Sequence, residues 1–220
     1  MHDLEWLLCA LLPDGSIYAV GLVSNSPAVA ALTTIDPATG NETRVNPDVV
    51  AGGSTSTGDL SAVDDAAGLF WYLGDTSSGT TLEALNMTTG APACSSVVSG
   101  IKEMGLVGLG QSLDFDPTTA TLILSGVSAA NQSEHAVYRA AAGSCEQAAA
   151  FEFVGTFGYA QYVPLLHASS FDPQGQRLFV QLSTDDGARA GVGVISLDPG
   201  GDGEMAVVLV PEGGEVSDSA

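Results

Sequence analysis

The feature that most constrains this chain is a repeat of about 50 residues, marked by two independent landmarks that recur in the same order. The first is a turn that leads into an apolar strand. It reads PDGSIYAV over 13–20, DDAAGLFWYL over 64–73, DPTTATLIL over 116–124 and DPQGQRLFV over 172–180. With Ile17, Leu69, Leu122 and Leu178 taken as equivalent, the steps are 52, 53 and 56 residues. The second landmark is a later turn: TIDPATG over 34–40, ALNMTTG over 84–90, and the weaker copies YRAAAG over 138–143 and SLDPGG over 196–201. Its glycines, Gly40, Gly90, Gly143 and Gly201, are spaced by 50, 53 and 58 residues. Asp, Asn, Pro and Gly supply turn conformations that strands cannot, and the flanking runs are aliphatic and aromatic without helical periodicity.

Each unit therefore holds four strands: one before the Asp turn, one after it, a third beyond a variable polar loop, and a fourth after the Gly turn. Four strands per repeat of this length is the pattern of β-propeller blades. The expected fold is all-β and propeller-like, with four repeats of four antiparallel strands. The expected organisation is one domain over 1–213, with blades at about 1–50, 51–100, 101–157 and 158–213, followed by a flexible acidic tail at 214–220. A β-sandwich or β-helix with evenly spaced strands is the alternative.

The segments 34–40 and 82–90 resemble the third-strand turn of pyrroloquinoline-quinone-type and related surface-layer-type propeller repeats. That family usually places a Trp soon after the Thr-Gly pair, where it docks neighbouring blades. No Trp follows Gly40 or Gly90, and the only tryptophans are Trp6 and Trp71. The resemblance thus implies the fold and not the quinone chemistry.

Flush blades provide no shared blade to clasp the chain ends together. Three arrangements follow: a compact four-bladed ring, a protomer that completes a ring by self-association through its open blade edges, or part of a longer propeller. The start, MHDLEW, has no basic region, and the first Arg or Lys is Arg44, so it is no signal peptide. Either the protein is not secreted or this sequence lacks its natural start, and the second reading is preferred.

Composition narrows the partners. A formal charge of −21, with only five basic side chains, argues against binding to nucleic acid or to an anionic membrane surface. No apolar run reaches the roughly 18–20 residues that would insert across a bilayer as a helix. Asn41, Asn86 and Asn131 each head an Asn-x-Ser/Thr sequon, which with the scarcity of lysine points to an extracellular or lumenal glycoprotein. Of the three cysteines, Cys94 and Cys145 are the most plausible bridge, with Cys9 left over. The other reading is three unpaired, mostly buried thiols.

Catalytic signals are sparse. Gly110-Gln-Ser112-Leu-Asp114 approaches a nucleophile elbow but lacks its second glycine. The histidines His2, His135 and His167 are scattered, and only His167 falls on a first strand, which in a propeller lines the central channel. The carboxylate pairs Asp64–Asp65, Asp114/Asp116 and Asp185–Asp186 sit in different repeats, with Asp114 and Asp116 expected on one face of a strand. Asp198, Asp202 and Glu204 faintly echo a calcium loop but lack its acidic third and twelfth ligands, so calcium is the only cofactor considered and none is required.

The variable loops at 23–27, 75–80, 127–134 and 183–188 are small and polar, and loops on a rigid scaffold carry specificity. The function expected is a non-enzymatic binding or scaffold module that uses these rim loops on a protein or carbohydrate ligand. The alternative is a propeller-type hydrolase or lyase with channel-mouth carboxylates and His167, assisted by calcium.

Overall fold

The computed structural model describes residues 5–11, 15–25, 28–47, 51–52, 60–76, 79–98, 105–106, 112–158, 162–184, 190–197 and 205–209. Within the strands, only the backbone is described for 5–11, 21–25, 28–30, 51–52, 75–76, 162–168, 184, 190 and 205–209.

These residues form four antiparallel sheets, each a meander of consecutive strands. The first holds β1 (Glu5–Leu11), β2 (Ile17–Asn25), β3 (Ala28–Ile35) and β4 (Glu42–Arg44); β5 (Ala51–Gly52) also pairs with β3. The second holds β6 (Ser61–Asp64), β7 (Leu69–Thr76), β8 (Gly79–Asn86) and β9 (Pro92–Val97). The third holds β10 (Ser112–Asp116), β11 (Thr121–Val127), β12 (Glu134–Ala141) and β13 (Glu152–Gly158), with the short helix α1 (Cys145–Ala148) between its last two strands. The fourth holds β14 (Tyr162–Asp172), β15 (Arg177–Thr184), β16 (Ala190–Ser196) and β17 (Met205–Leu209). This is the all-β, propeller-like architecture expected from the repeat. Among the described residues no helix is long and apolar enough to cross a membrane.

Strand alternation decides which blade each side chain meets. In the second sheet Phe70, Tyr72, Leu85 and Met87 turn toward the first, where they pack with Val20 and Leu32. Trp71, Leu73, Leu82 and Ala84, on the opposite face, pack with Leu113, Leu122, Leu124, Ala136 and Tyr138 of the third. The other face of the third sheet presents Ile123 and Val137 to Leu178, Val180, Leu182 and Ile195 of the fourth. Three apolar junctions thus join the sheets in chain order. The innermost strands follow the same order, β1 beside β6, β6 beside β10 and β10 beside β14. Among the described residues no comparable packing returns from β14 to β1.

One equivalence drawn from the sequence shifts by a residue. Ile17 pairs with Ile35, just before the Asp36 turn, and Phe70 pairs with Leu85, just before the matching Asn86 turn. Phe70, not Leu69, therefore occupies the place of Ile17. Leu69 packs on the opposite face with the Trp71 cluster. A one-residue slip exchanges the two faces of a strand, so burial and not local similarity sets the register.

The turns owe their shape to side-chain caps. Asp36 Oδ1 accepts from the Ala38 N–H at 2.8 Å, Asn86 Oδ1 from Thr88 and Thr89 at 3.0 and 2.9 Å, Asp116 from Thr118 at 2.9 Å and Asp172 from Gln174 at 3.0 Å. Gly40 and Gly90 close the two matching turns at φ +69° and +68°, the left-handed region where a Cβ is disfavoured. The outer strands β4, β9 and β13 are largely exposed; β4 is three residues long and β9 opens with Pro92, both of which blunt a sheet edge.

Candidate functional site

The densest polar arrangement among the described residues lies where β10 meets β14. Alternation puts Ser112, Asp114 and Asp116 on the face of the third sheet that meets the fourth, so the same-face placement expected for the two carboxylates holds. Ser112 Oγ donates to Asp114 Oδ2 at 2.9 Å and lies 2.9 Å from Ser125 Oγ, its cross-strand partner. Ser125 Oγ is in turn 3.3 Å from Ser169 Oγ on β14, and the Phe171 N–H donates to Asp114 Oδ1 at 3.3 Å. Burial pushes the Asp114 carboxyl up to about 6, against the opposing pull of the Ser112 hydroxyl and the Phe171 N–H.

Asp116 behaves differently although it sits two residues away. Burial works to raise its carboxyl, but bonds from the Thr119 hydroxyl (2.6 Å), the Gln176 amide (2.9 Å) and the Thr118 N–H outweigh it and hold the group below the usual carboxylate range. Gln176 belongs to the fourth sheet's turn, so Asp116 also ties two blades together. Arg139 on β12 adds a third link, donating from Nη2 to the Leu197 carbonyl at 2.6 Å. Ser112 is thus a junction residue whose hydrogen is committed to Asp114, not the exposed nucleophile of an elbow.

The other candidates do not converge on this seam. Asp64 caps its own turn through the Ala67 N–H at 3.0 Å, in the second sheet. Asp185, Asp186 and His2 lie outside the described residues, as do Asp198, Asp202 and Glu204 of the candidate calcium loop. His167 lies on β14, the first strand of the fourth sheet, but its side chain is outside the described set. Among the described residues no group of three His, Cys, Asp or Glu is arranged to hold a metal ion.

His135 is fully buried on β12, and among the described residues neither ring nitrogen has a hydrogen-bond partner. Burial lowers it to about 4, so it is neutral at physiological pH. A second buried pair, missed in the sequence, faces the first sheet. There the Tyr72 hydroxyl donates to Glu83, whose other oxygen accepts from Thr81 Oγ1 at 3.3 Å, and burial together with Glu83 pushes the Tyr72 hydroxyl far up. A lone Glu inside the apolar run Thr80–Leu85 was the available signal.

Cys94 on β9 and Cys145 at the start of α1 are joined as a disulfide, with a Cα–Cα distance of 5.5 Å and a sequence separation of 51. The bridge links the second sheet to the third. Of the sequon asparagines, Asn86 is half-buried and spends Oδ1 on its turn, whereas Asn41 and Asn131 are exposed.

Of the four loops between second and third strands, the one at 127–134 lies wholly within the described residues. Asn131 Nδ2 donates to Glu134 at 2.9 Å, the Ser133 hydroxyl donates to Asn131 Oδ1 at 2.7 Å, and the Ser128 N–H donates to the Glu134 carbonyl at 2.9 Å. The equivalent connections leave β2, β7 and β15 at Asn25, Thr76 and Thr184.

No family model matches this sequence, and no curated protein matches it either. Solved structures do. The chain is similar to Kuenenia stuttgartiensis hydrazine synthase (TM-score 0.56, 14% identity, covering 96% of this chain and 51% of that one). It is similar to a quinoprotein alcohol dehydrogenase-like protein from Bacteroides thetaiotaomicron (TM-score 0.50, 11% identity, 94% and 46%). A third is oligogalacturonate lyase from Vibrio parahaemolyticus (TM-score 0.51, 8% identity, 95% and 68%). The chain spans about half the length of the first two. At these identities the likeness is one of fold, and the fold is that of propeller-type proteins, some of them enzymes.

Proposed function

We propose that the chain is a non-enzymatic binding or scaffold module that presents ligand-selecting loops on one rim of a propeller-like array. The observation that carries this reading is how the polar groups are used. The junction-facing groups Asp116, Arg139 and Ser112 are committed to the seam between the third and fourth sheets, while residues 129–133 of the loop at 127–134 are exposed and held in shape by the loop's own hydrogen bonds. A preformed polar loop loses little entropy on binding, which suits recognition. The scarcity of aromatic residues in these loops favours hydrogen-bonding ligands, either a carbohydrate or a polar protein surface.

An extracellular or lumenal setting is part of the proposal. It is supported by the Cys94–Cys145 bridge, which persists in oxidising compartments, and by the exposed sequons at Asn41 and Asn131. So is membership among the quinoprotein-type and surface-layer-type repeats, which rests on the matched turns at 34–40 and 84–90. The alternative, a hydrolase or lyase acting at the channel mouth, is favoured by one feature: burial pushes the Asp114 carboxyl up to about 6, toward the range a general acid or base uses.

The two readings separate in one experiment. The full chain, isotope-labelled, is titrated with a panel of neutral and acidic oligosaccharides, with and without calcium, while amide chemical shifts are followed. Shifts confined to residues 127–134 and the equivalent hairpins support the binding reading. Shifts centred on β10 and β14, with turnover of the sugar, overturn it in favour of the enzyme.

A further inference from the structure

The seam between β10 and β14 contains three hydroxyls and one carboxyl in series, and counting hydrogens fixes how they can be arranged. Each serine hydroxyl has one hydrogen to give. With Asp114 ionised, Oδ2 accepts from Ser112 at 2.9 Å and Oδ1 from the Phe171 N–H at 3.3 Å. The hydrogen of Ser112 is then spent, so in the 2.9 Å contact between Ser112 and Ser125 the donor must be Ser125. By the same count the donor in the 3.3 Å contact between Ser125 and Ser169 must be Ser169. One anionic group therefore sets the direction of every bond as far as the neighbouring blade.

We propose that Ser169, Ser125, Ser112 and Asp114 form one hydrogen-bonded relay in which a proton gained or lost by the carboxyl reverses every hydroxyl as far as the inner strand of the fourth sheet. A hydronium ion reaching Ser169 gives its proton to that Oγ. Ser169 passes its own hydrogen to Ser125, Ser125 passes its hydrogen to Ser112, and Ser112 passes its hydrogen to Asp114 Oδ2. Four O–H bonds break and four form, leaving a water molecule and a neutral carboxyl. All three hydroxyls have then turned round, and Ser169 points its hydrogen away from the seam. Protonation falls on Oδ2, because a hydrogen on Oδ1 would confront the Phe171 N–H.

Among the described residues few other charges border the seam. Ser125 is fully buried and Ser112 nearly so, whereas Asp114 and Ser169, at the two ends of the series, are half-buried. The described side chains that the fourth sheet turns toward it are Ser169, Phe171, Leu178, Val180, Leu182 and Ile195, none of them ionisable. On the third sheet's own face the other ionisable groups are Asp116 on β10, Arg139 and His135 on β12, and the exposed Glu152 on β13, opposite Arg139. Asp116 and Arg139 are committed to Gln176 and to the Leu197 carbonyl, and His135 is neutral.

The test is an NMR titration of the Asp114 side-chain carbon in the full chain, labelled on aspartate, from pH 3 to 9. The expected midpoint is about 6. Ser169→Ala removes a hydroxyl that does not touch the carboxyl, yet it weakens the ionised form by depolarising the series. It should raise the midpoint by about 0.3–0.5 pH unit, with Ser112→Ala raising it by about one unit or more. Ser169→Thr keeps a hydroxyl and should restore the original value, and Ser170→Ala, on the exposed side of the same strand, should change nothing. Ser125→Ala cuts the series one bond nearer and serves in place of Ser169→Ala if that variant does not fold. The relay is overturned if Ser169→Ala or Ser125→Ala leaves the midpoint where it was, or if Asp114 titrates near 3.8 in the parent chain.

Discussion

His135 provides the sharpest test of the third-to-fourth blade junction. Its imidazole is fully buried, neither nitrogen has a partner among the described residues, and its folded value of about 4 lies below the ordinary 6.5. A group whose folded pKa is depressed supports the fold above its unfolded pKa and ceases to do so as the pH falls through the folded value. The window is therefore pH 6.5 down to 4, and a gap of about 2.5 units corresponds to roughly 3 kcal/mol lost on acidification. Asp114, in the same junction, runs the other way. Raised from 3.8 to about 6, its contribution is fully present below pH 3.8 and is lost as the pH rises through 6, again by roughly 3 kcal/mol. The two nearly cancel between pH 7 and 4. His135→Leu removes one side of the balance and should also gain about 1–3 kcal/mol at pH 7 by deleting an unpaired buried donor. The assay is urea unfolding of parent and variant at pH 7, 5.5 and 4, taking the difference at each pH so that the other carboxylates drop out. The stability advantage of the variant should widen by roughly 3 kcal/mol on going from pH 7 to 4. A constant difference would show that His135 titrates alike in the folded and unfolded chains, as a solvated imidazole does, and the burial argument would fail.

Further outcomes follow from other parts of the fold. Replacing Cys94 and Cys145 by alanine opens a loop whose ends are 51 residues apart, for which chain entropy sets a ceiling of about 4 kcal/mol; a measured loss of 2–4 kcal/mol with one free thiol in the denatured parent chain is expected, and three free thiols would refute the bridge. Trp71→Ala, at the centre of the junction between second and third sheets, should cost about 3–5 kcal/mol by thermal or urea melting, far more than Phe153→Ala on the exposed outer strand β13. Gly40→Ala should cost roughly 1 kcal/mol for its left-handed backbone. Gly90→Ala should cost about the same, because its new Cβ would meet Asn46 at 3.4 Å, an ordinary van der Waals contact, and a severalfold larger loss would contradict that packing.

How much of this could be read from the sequence depended on distance along the chain. The turns were legible because their caps are local: Asp36, Asn86, Asp116 and Asp172 each bond to a backbone N–H two residues on. The period of the repeat and the four meanders followed from them. The choice of Leu69 as the partner of Ile17 missed by one residue, since hydrophobicity was similar on both faces and only packing against Trp71 separates them. That Asp114 and Asp116 share a face was readable from alternation, but their unlike behaviour was not. It is decided by Phe171 and Gln176, 57 and 60 residues away. The bond from Ser125 to Ser169 spans 44 residues and joins two blades, so no local pattern announces it. His135 was scattered in the sequence, and it becomes informative only once burial shows both of its nitrogens without partners.

Everything above rests on four meanders stacked in chain order through three apolar junctions. Methyl-to-aromatic nuclear Overhauser effects in the full chain test it most directly. Cross-peaks are expected from the Phe70 and Tyr72 rings to Val20 and Leu32, from the Trp71 indole to Leu122 and Leu124, and from the Phe171 ring to Ile123 or Val137. Cross-peaks linking the first sheet to the third, or Trp71 to the fourth, in place of these would contradict the stacking order and with it the seam between Asp114 and Ser169.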